Sequence, residues 1–200
     1  MEIKCSRTIE TGEAEPGVMY VGIVALMVFE HQMRMINLIT RIGWETRVAL
    51  SAERLNPRTG AAPDRRDLPQ NLREGISEFV DYLLFIDEAP LAGKVEGTSG
   101  FTAKFAARSP RDGKGRSLRQ FDLERRLMRY PCSYMIHAEA FDGLPAAAKD
   151  AIYTRMWQVL SGEERDARYS RLTIPDRRAI VEILLDTKKD LPAWFKPLEP

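Results

Sequence analysis

The residues of this chain best equipped for chemistry are few: His31, His137, Cys5 and Cys132. Neutral imidazole is the commonest protein ligand for metals and for haem iron, so the two histidines come first. At helical spacing His31 shares its face with Met27, Met35, Leu38 and Ile42, which points its ring into an apolar interior. A buried imidazole needs a partner, because an unpaired ring nitrogen there costs about 1–3 kcal/mol. The partner is either a polar group on a facing helix or a bound metal or haem. Paired with His137, or with a neighbouring methionine, His31 could hold a haem iron or a metal between two helices.

Other arrangements are excluded by spacing. A covalent haem needs Cys-x-x-Cys-His, and neither cysteine stands in one. Carboxylate-bridged di-iron bundles need Glu-x-x-His, which is absent. Cys132 and His137 are five positions apart, about 140° around a helix, so they cannot address one substrate atom. Cys132 therefore reads as a buried structural thiol. The catalytic set is empty.

Two polar features remain. Glu30, Arg34, Asn37, Arg41 and Glu45 form a stripe beside the His31 face, either solvated or lining a groove. Farther on, Lys104, Arg108, Arg111, Lys114, Arg116 and Arg119 concentrate positive charge in a Gly- and Pro-containing stretch. That stretch is a loop whose charges pair with nearby carboxylates, or a contact for phosphate, nucleic acid or an acidic partner surface. Gly113 and Lys114 do not make a phosphate loop: the earlier glycine and the following Ser or Thr are both missing.

The elements that position these groups read as helices. With 200 residues, 44% hydrophobic and 30% charged, the chain has the composition of one globular domain. Thirty basic against twenty-nine acidic residues leave a net charge of +1, so no global field recruits nucleic acid or an anionic membrane. Residues 1–17 read as a loose arm, 18–191 as a single helical domain and 192–200 as an extended tail that Trp194 and Phe195 pin down. One long helix runs from Val18 to about Leu55, free of proline between Pro16 and Pro57. Residues 56–69 form a connector, and 70–87 a second helix returning antiparallel to the first. After the basic loop, 118–130 and 132–141 read as helices, and Pro145 and Thr173 open two more. Ser161 with Glu164, and Thr173 with Asp176, have the spacing of N-terminal capping pairs. Lys188 and Lys189 fall in the last turn of the final helix. The class is all-α: an irregular bundle around one long N-terminal helix, with a long Gly/Pro-containing basic loop.

The apolar run at 17–29 is too short to span a bilayer and is followed at once by Glu30 and His31. Glu10, Glu13 and Glu15 precede that run, unlike a secretory signal, so these residues alone suggest a cytoplasmic chain.

Several phrases, in order, resemble one family: ALMVFEHQMRMINLITRIGWETRVAL, VDYLLFIDEAPL, GTSGFTAKFAARSPRDGKGRSLRQFDL, RYPCSYMIHAEAFDGLP, MWQVLSG and DRRAIVEIL. They are similar to the C-terminal region of large bacterial proteins with c-type cytochrome features. The resemblance implies a helical, non-catalytic module that packs beside a haem-bearing domain or redox partner in the periplasm. The haem-attachment cysteines and export signal of the family belong to its N-terminal portion. Glu30, His31, Gln32, Asn37 and Arg41 carry over by motif. The family's Met-His-Asn becomes Met35, Ile36 and Asn37 here, and a tyrosine position becomes His137. An exposed apolar patch is the structural sign expected of such a module. A haem-sized apolar cavity beside His31 is the sign expected of a haem or metal binder.

Overall fold

The computed structural model describes residues 22–55, 68–96 and 100–198. Within them there are six α-helices and no strand, so the all-α class holds. The N-terminal arm, Cys5 and most of the 56–69 connector lie outside the described residues.

Helix α1 spans Ile23–Leu55, 33 residues without a proline to interrupt it. Helix α2, Gln70–Leu83, buries Leu72, Ile76, Phe79, Val80 and Leu83 at three- and four-residue spacing. Its contacts run backwards along α1: Phe85 and Tyr82 meet His31, and Glu78 meets Arg41. Gly75, higher on α2, lies against Arg41 and Glu45. The pair is therefore antiparallel. The second helix ends at Leu83, four residues earlier than its apolar pattern suggests, where Phe85 turns to φ +54°.

Helix α3, Phe101–Ala107, is a short turn inside the basic loop, anchored by buried Phe105. The four-residue α4, Glu139–Asp142, precedes α5, Ala146–Ser161, and α6, Ile174–Thr187. Helix α2 packs against both α1 and α5, which also touch each other, and α6 packs on α5. The core sits in these interfaces around fully buried Phe79, Ile152, Met156 and Ile183. Burying a side chain the size of Phe79 contributes about 2–3 kcal/mol. Gly43 lets α1 approach the turn before α5, since a Cβ there would meet Leu144 at 3.3 Å. The tail folds back on α5, with Phe195 buried and its ring 5.2 Å from that of Trp157.

Four local readings are corrected. The stretch 118–130 is not a helix but a tight reversal, with a bridge between Phe121 and Met128 and Leu123 at φ +61°. The Asp122 carboxylate accepts from the backbone N–H groups of Glu124 and Arg125 at 3.0 and 2.8 Å, a local alternative that competes with helix. Leu91 and Val95 then donate to the carbonyls of Arg125 and Leu123, closing the loop on itself. The stretch 132–141 divides into a 3-10 turn, Tyr134–His137, and α4, broken by extended Ala138. Ser161 ends α5 rather than capping a new helix, and Asp166 caps the 3-10 turn Ala167–Arg171 instead. Thr173 does cap α6, accepting from Asp176 N–H at 3.2 Å. Lys188 follows α6 as its C-cap, and is buried against Asp142 and Asp190.

Candidate functional site

His31 leaves 4% of its surface exposed, as its apolar helix face requires. Its ring stacks nearly parallel to those of Tyr82 and Phe85, at 5.0 and 4.6 Å between centroids. Nε2 lies 2.7 Å from Ser133 Oγ. Ser133 caps the Tyr134–His137 turn, accepting from Met135 N–H, and donates its own N–H to Leu83 O at 2.7 Å. The hydroxyl is thus fixed by backbone, not carried on a facing helix. Burial pulls the imidazole pKa down to about 4, so the ring is neutral at pH 7.

The geometry constrains any ligand that His31 could hold through Nε2. Iron at Nε2 would have to displace Ser133. His137 has a separate environment beside Thr187, 3.4 Å away, and within electrostatic reach of Lys188 and Arg119. Among the described residues no group of three His, Cys, Asp or Glu is disposed to hold a metal ion. Cys132 is fully buried, and burial pushes its thiol far above the usual range, which leaves little thiolate at neutral pH.

Beside His31 opens a cleft of about 820 Å³ between α1, α2 and the residues that follow α2. Its lining is mixed, with Met27, Tyr82, Phe85 and Leu127 beside a set of charged side chains. Glu78 pairs with Arg41 at 2.7 Å and more loosely with Arg34 at 3.8 Å. Arg168 bridges Asp81 at 3.1 Å and Asp87 at 2.8 Å. Asp81 is buried and accepts from Tyr169 OH at 2.8 Å, while Arg155 donates to the same phenol oxygen at 2.8 Å. Burial raises the Asp81 carboxyl pKa against the lowering effect of Tyr169 and Arg168. Glu88 is likewise raised by burial, although Leu127 N–H donates to it at 2.9 Å.

The residues singled out in sequence divide among three places. Glu30 lines the cleft, His31 forms part of its floor, and Arg41 grips its wall through Glu78. Gln32 lies on the other side of α1, against the Tyr134 hydroxyl but outside bonding geometry. Asn37 is exposed. Two of the six cations of the basic loop are paired with carboxylates. Lys114 and Arg116 both bind Glu182 of α6, at 2.8 and 2.6 Å, and Arg116 also binds buried Asp112. Burial opposes the ionisation of Asp112, but its hydrogen bonds to Arg116 and Lys114 win and hold its pKa below the ordinary value. Arg111 donates to Gly115 O at 2.9 Å. Lys104 and Arg108 sit on and just after α3. Arg119 lies over the rings of Phe105 and Tyr134, 4.7 Å from each centroid.

The feature that sequence reading passed over is the far face of α1. Leu26, Phe29, Met33, Ile36, Trp44 and Val48 are 41–68% exposed. Their spacing keeps them within one stripe, directed away from the buried positions Val28, Met35, Ile39 and Ile42. Leu26, Phe29, Met33 and Ile36 are neighbours on this stripe, while exposed Asn37 and Thr40 stand between them and Trp44 and Val48. The signal was in the sequence: α1 carries two apolar registers, and only the one through His31 was followed.

Among the described residues no helix is long and apolar enough to cross a membrane. Comparison with protein-family models, with curated proteins and with solved structures finds no match to this chain.

Proposed function

We propose that this chain is a non-catalytic helical module that packs through the outward face of α1 against a haem-bearing domain or redox partner. The single observation that carries the reading is the exposed band from Leu26 to Val48, on a helix whose opposite face already fills the core. A surface helix with one job needs one apolar stripe, and this one has two. The resemblance to the C-terminal region of cytochrome-like proteins supplies the kind of partner and a periplasmic setting. The commitment of His31 to Ser133 supports a haem carried by the partner rather than by this chain. The pairing of Lys114 and Arg116 with Asp112 and Glu182 takes two of the six cations from any phosphate or nucleic-acid contact there.

A photoreactive phenylalanine analogue at position 44 tests this in cells that mature c-type cytochromes. Illumination is expected to yield an adduct that stains for haem peroxidase activity on a gel. The same analogue at exposed position 163, after α5, is expected to yield none. Haem-negative adducts alone, or equal haem staining from both positions, would contradict the proposal.

A further inference from the structure

The cleft beside His31 and the outward band of α1 share an edge. Glu30 lines the cleft, yet it follows Phe29 directly and lies one helical turn from Leu26 and Met33. A body covering the band therefore lies over the mouth of the cleft as well. Six carboxylates line the cleft against three guanidinium groups, and Arg41 pairs with Glu78 from outside it, so the excess negative charge sits at Glu30 and Glu74. Those guanidinium groups are already engaged. Arg168 is held by Asp81 and Asp87, Arg34 lies 4.6 Å over the Tyr82 ring, and Arg73 donates to Leu68 O and Gln70. Glu30 has no cation partner among the described residues and Glu74 has only the Gln70 amide, whereas Glu88 accepts from a backbone N–H with Arg126 and Arg171 in electrostatic reach. Beneath them the floor is partly apolar and aromatic, with Met27, Tyr82, Phe85 and the His31 ring, whose Nδ1 is bonded by no described residue.

We propose that this cleft receives a cationic side chain, lysine or arginine, from the partner that covers the outward face of α1. The inference rests on the docking reading and deepens it, naming the chemistry that sets the partner's register. The aliphatic stem of such a side chain suits the floor, and its charged head meets the exposed carboxylates of Glu30 and Glu74. The partner's apolar contact supplies most of the affinity, while this contact fixes orientation and makes association faster at low salt.

The test uses the full chain alone, so it is independent of the haem-staining experiment. N-acetyl-arginine amide and N-acetyl-lysine amide are titrated at low ionic strength, with N-acetyl-glutamine amide as the neutral control, and amide chemical shifts are followed by NMR. Saturable shifts are expected around Glu30, Glu74 and Tyr82 for both cations and not for the control. Glu30→Gln and Glu74→Gln are each expected to weaken binding about threefold, the scale of one exposed charge pair. Both positions are exposed, so the folded state is retained. No saturable shift, equal shifts from the neutral amide, or binding unchanged in both variants would overturn the proposal. A negative result here together with a haem-positive adduct at position 44 would remove the cleft's role and leave the docking face standing.

Discussion

Replacing Arg177 with methionine is expected to lower the stability of the fold by about 3–5 kcal/mol. One guanidinium near the start of α6 donates to three carbonyls, one in α5 and two in the 3-10 turn Ala167–Arg171 and its C-cap. Nε reaches Leu172 O at 2.9 Å, Nη2 reaches Tyr169 O at 2.8 Å, and Nη1 bonds Val159 O in the last turn of α5. Burial lowers the pKa of this arginine, and no carboxylate is among the groups that perturb it. The carbonyls alone stabilise the charge. Hydrogen bonds to a charged donor contribute about 1.5–3 kcal/mol each, and they are not additive when one group makes all three. Methionine keeps the aliphatic stem but leaves three carbonyls to find water or rearrange. Urea unfolding followed by circular dichroism checks the value, with Lys189→Met as a surface control expected to stay within about 0.5 kcal/mol. A loss below about 1 kcal/mol for Arg177→Met would mean that the α5–α6 corner stands without this clamp.

Acidification from pH 6.5 towards 4 is the second large effect. His31 and His137 both have folded-state pKa values near 4, against 6.5 for a free imidazole. Burial is the first cause for each, with Lys188 adding to it at His137. Between these values the unfolded chain binds protons that the folded chain does not, so unfolding becomes easier as pH falls. The loss begins near 6.5, is complete near 4, and amounts to about 3 kcal/mol for His31, with less for the more exposed His137. Asp81 and Glu88, whose folded pKa values are raised, protonate earlier in the folded state and offset part of it at the lower end. Asp112, Asp176 and Asp190 are lowered and add their own losses only below about pH 4. The net loss as pH falls from 6.5 is therefore driven by the histidines and opposed by Asp81 and Glu88. Urea midpoints measured between pH 6.5 and about 5 should fall steadily in the wild type and flatten in a His31→Gln, His137→Gln double variant.

The all-helical class was legible because α1, α2, α5 and α6 each carry an apolar stripe at three- and four-residue spacing. The burial of His31 followed from its neighbours Met35, Leu38 and Ile42, and the need for a partner followed from burial. The identity of that partner did not, because Ser133 is 102 positions away and reaches the ring only through the packing of the turn that it caps. The stretch 118–130 failed for a local reason. Its charged and apolar residues suit a helix, but Asp122 bonds the backbone ahead of it, and Leu91 and Val95 take carbonyls of the reversal. Pairing of the basic loop with α6 depends on Glu182, 66 residues beyond Arg116, and no spacing rule reaches so far. The outward face of α1 was visible in principle.

Soret absorbance of material that co-purifies with the chain, from cells that mature c-type cytochromes, tests the docking face most directly. Wild type and His31→Gln are both expected to carry haem absorbance, while a Phe29→Glu, Trp44→Glu double variant, folded because both side chains face solvent, is expected to lose it. Absorbance kept by that double variant and lost by His31→Gln would place the haem on this chain, and its absence from the wild type would remove the haem-bearing partner altogether.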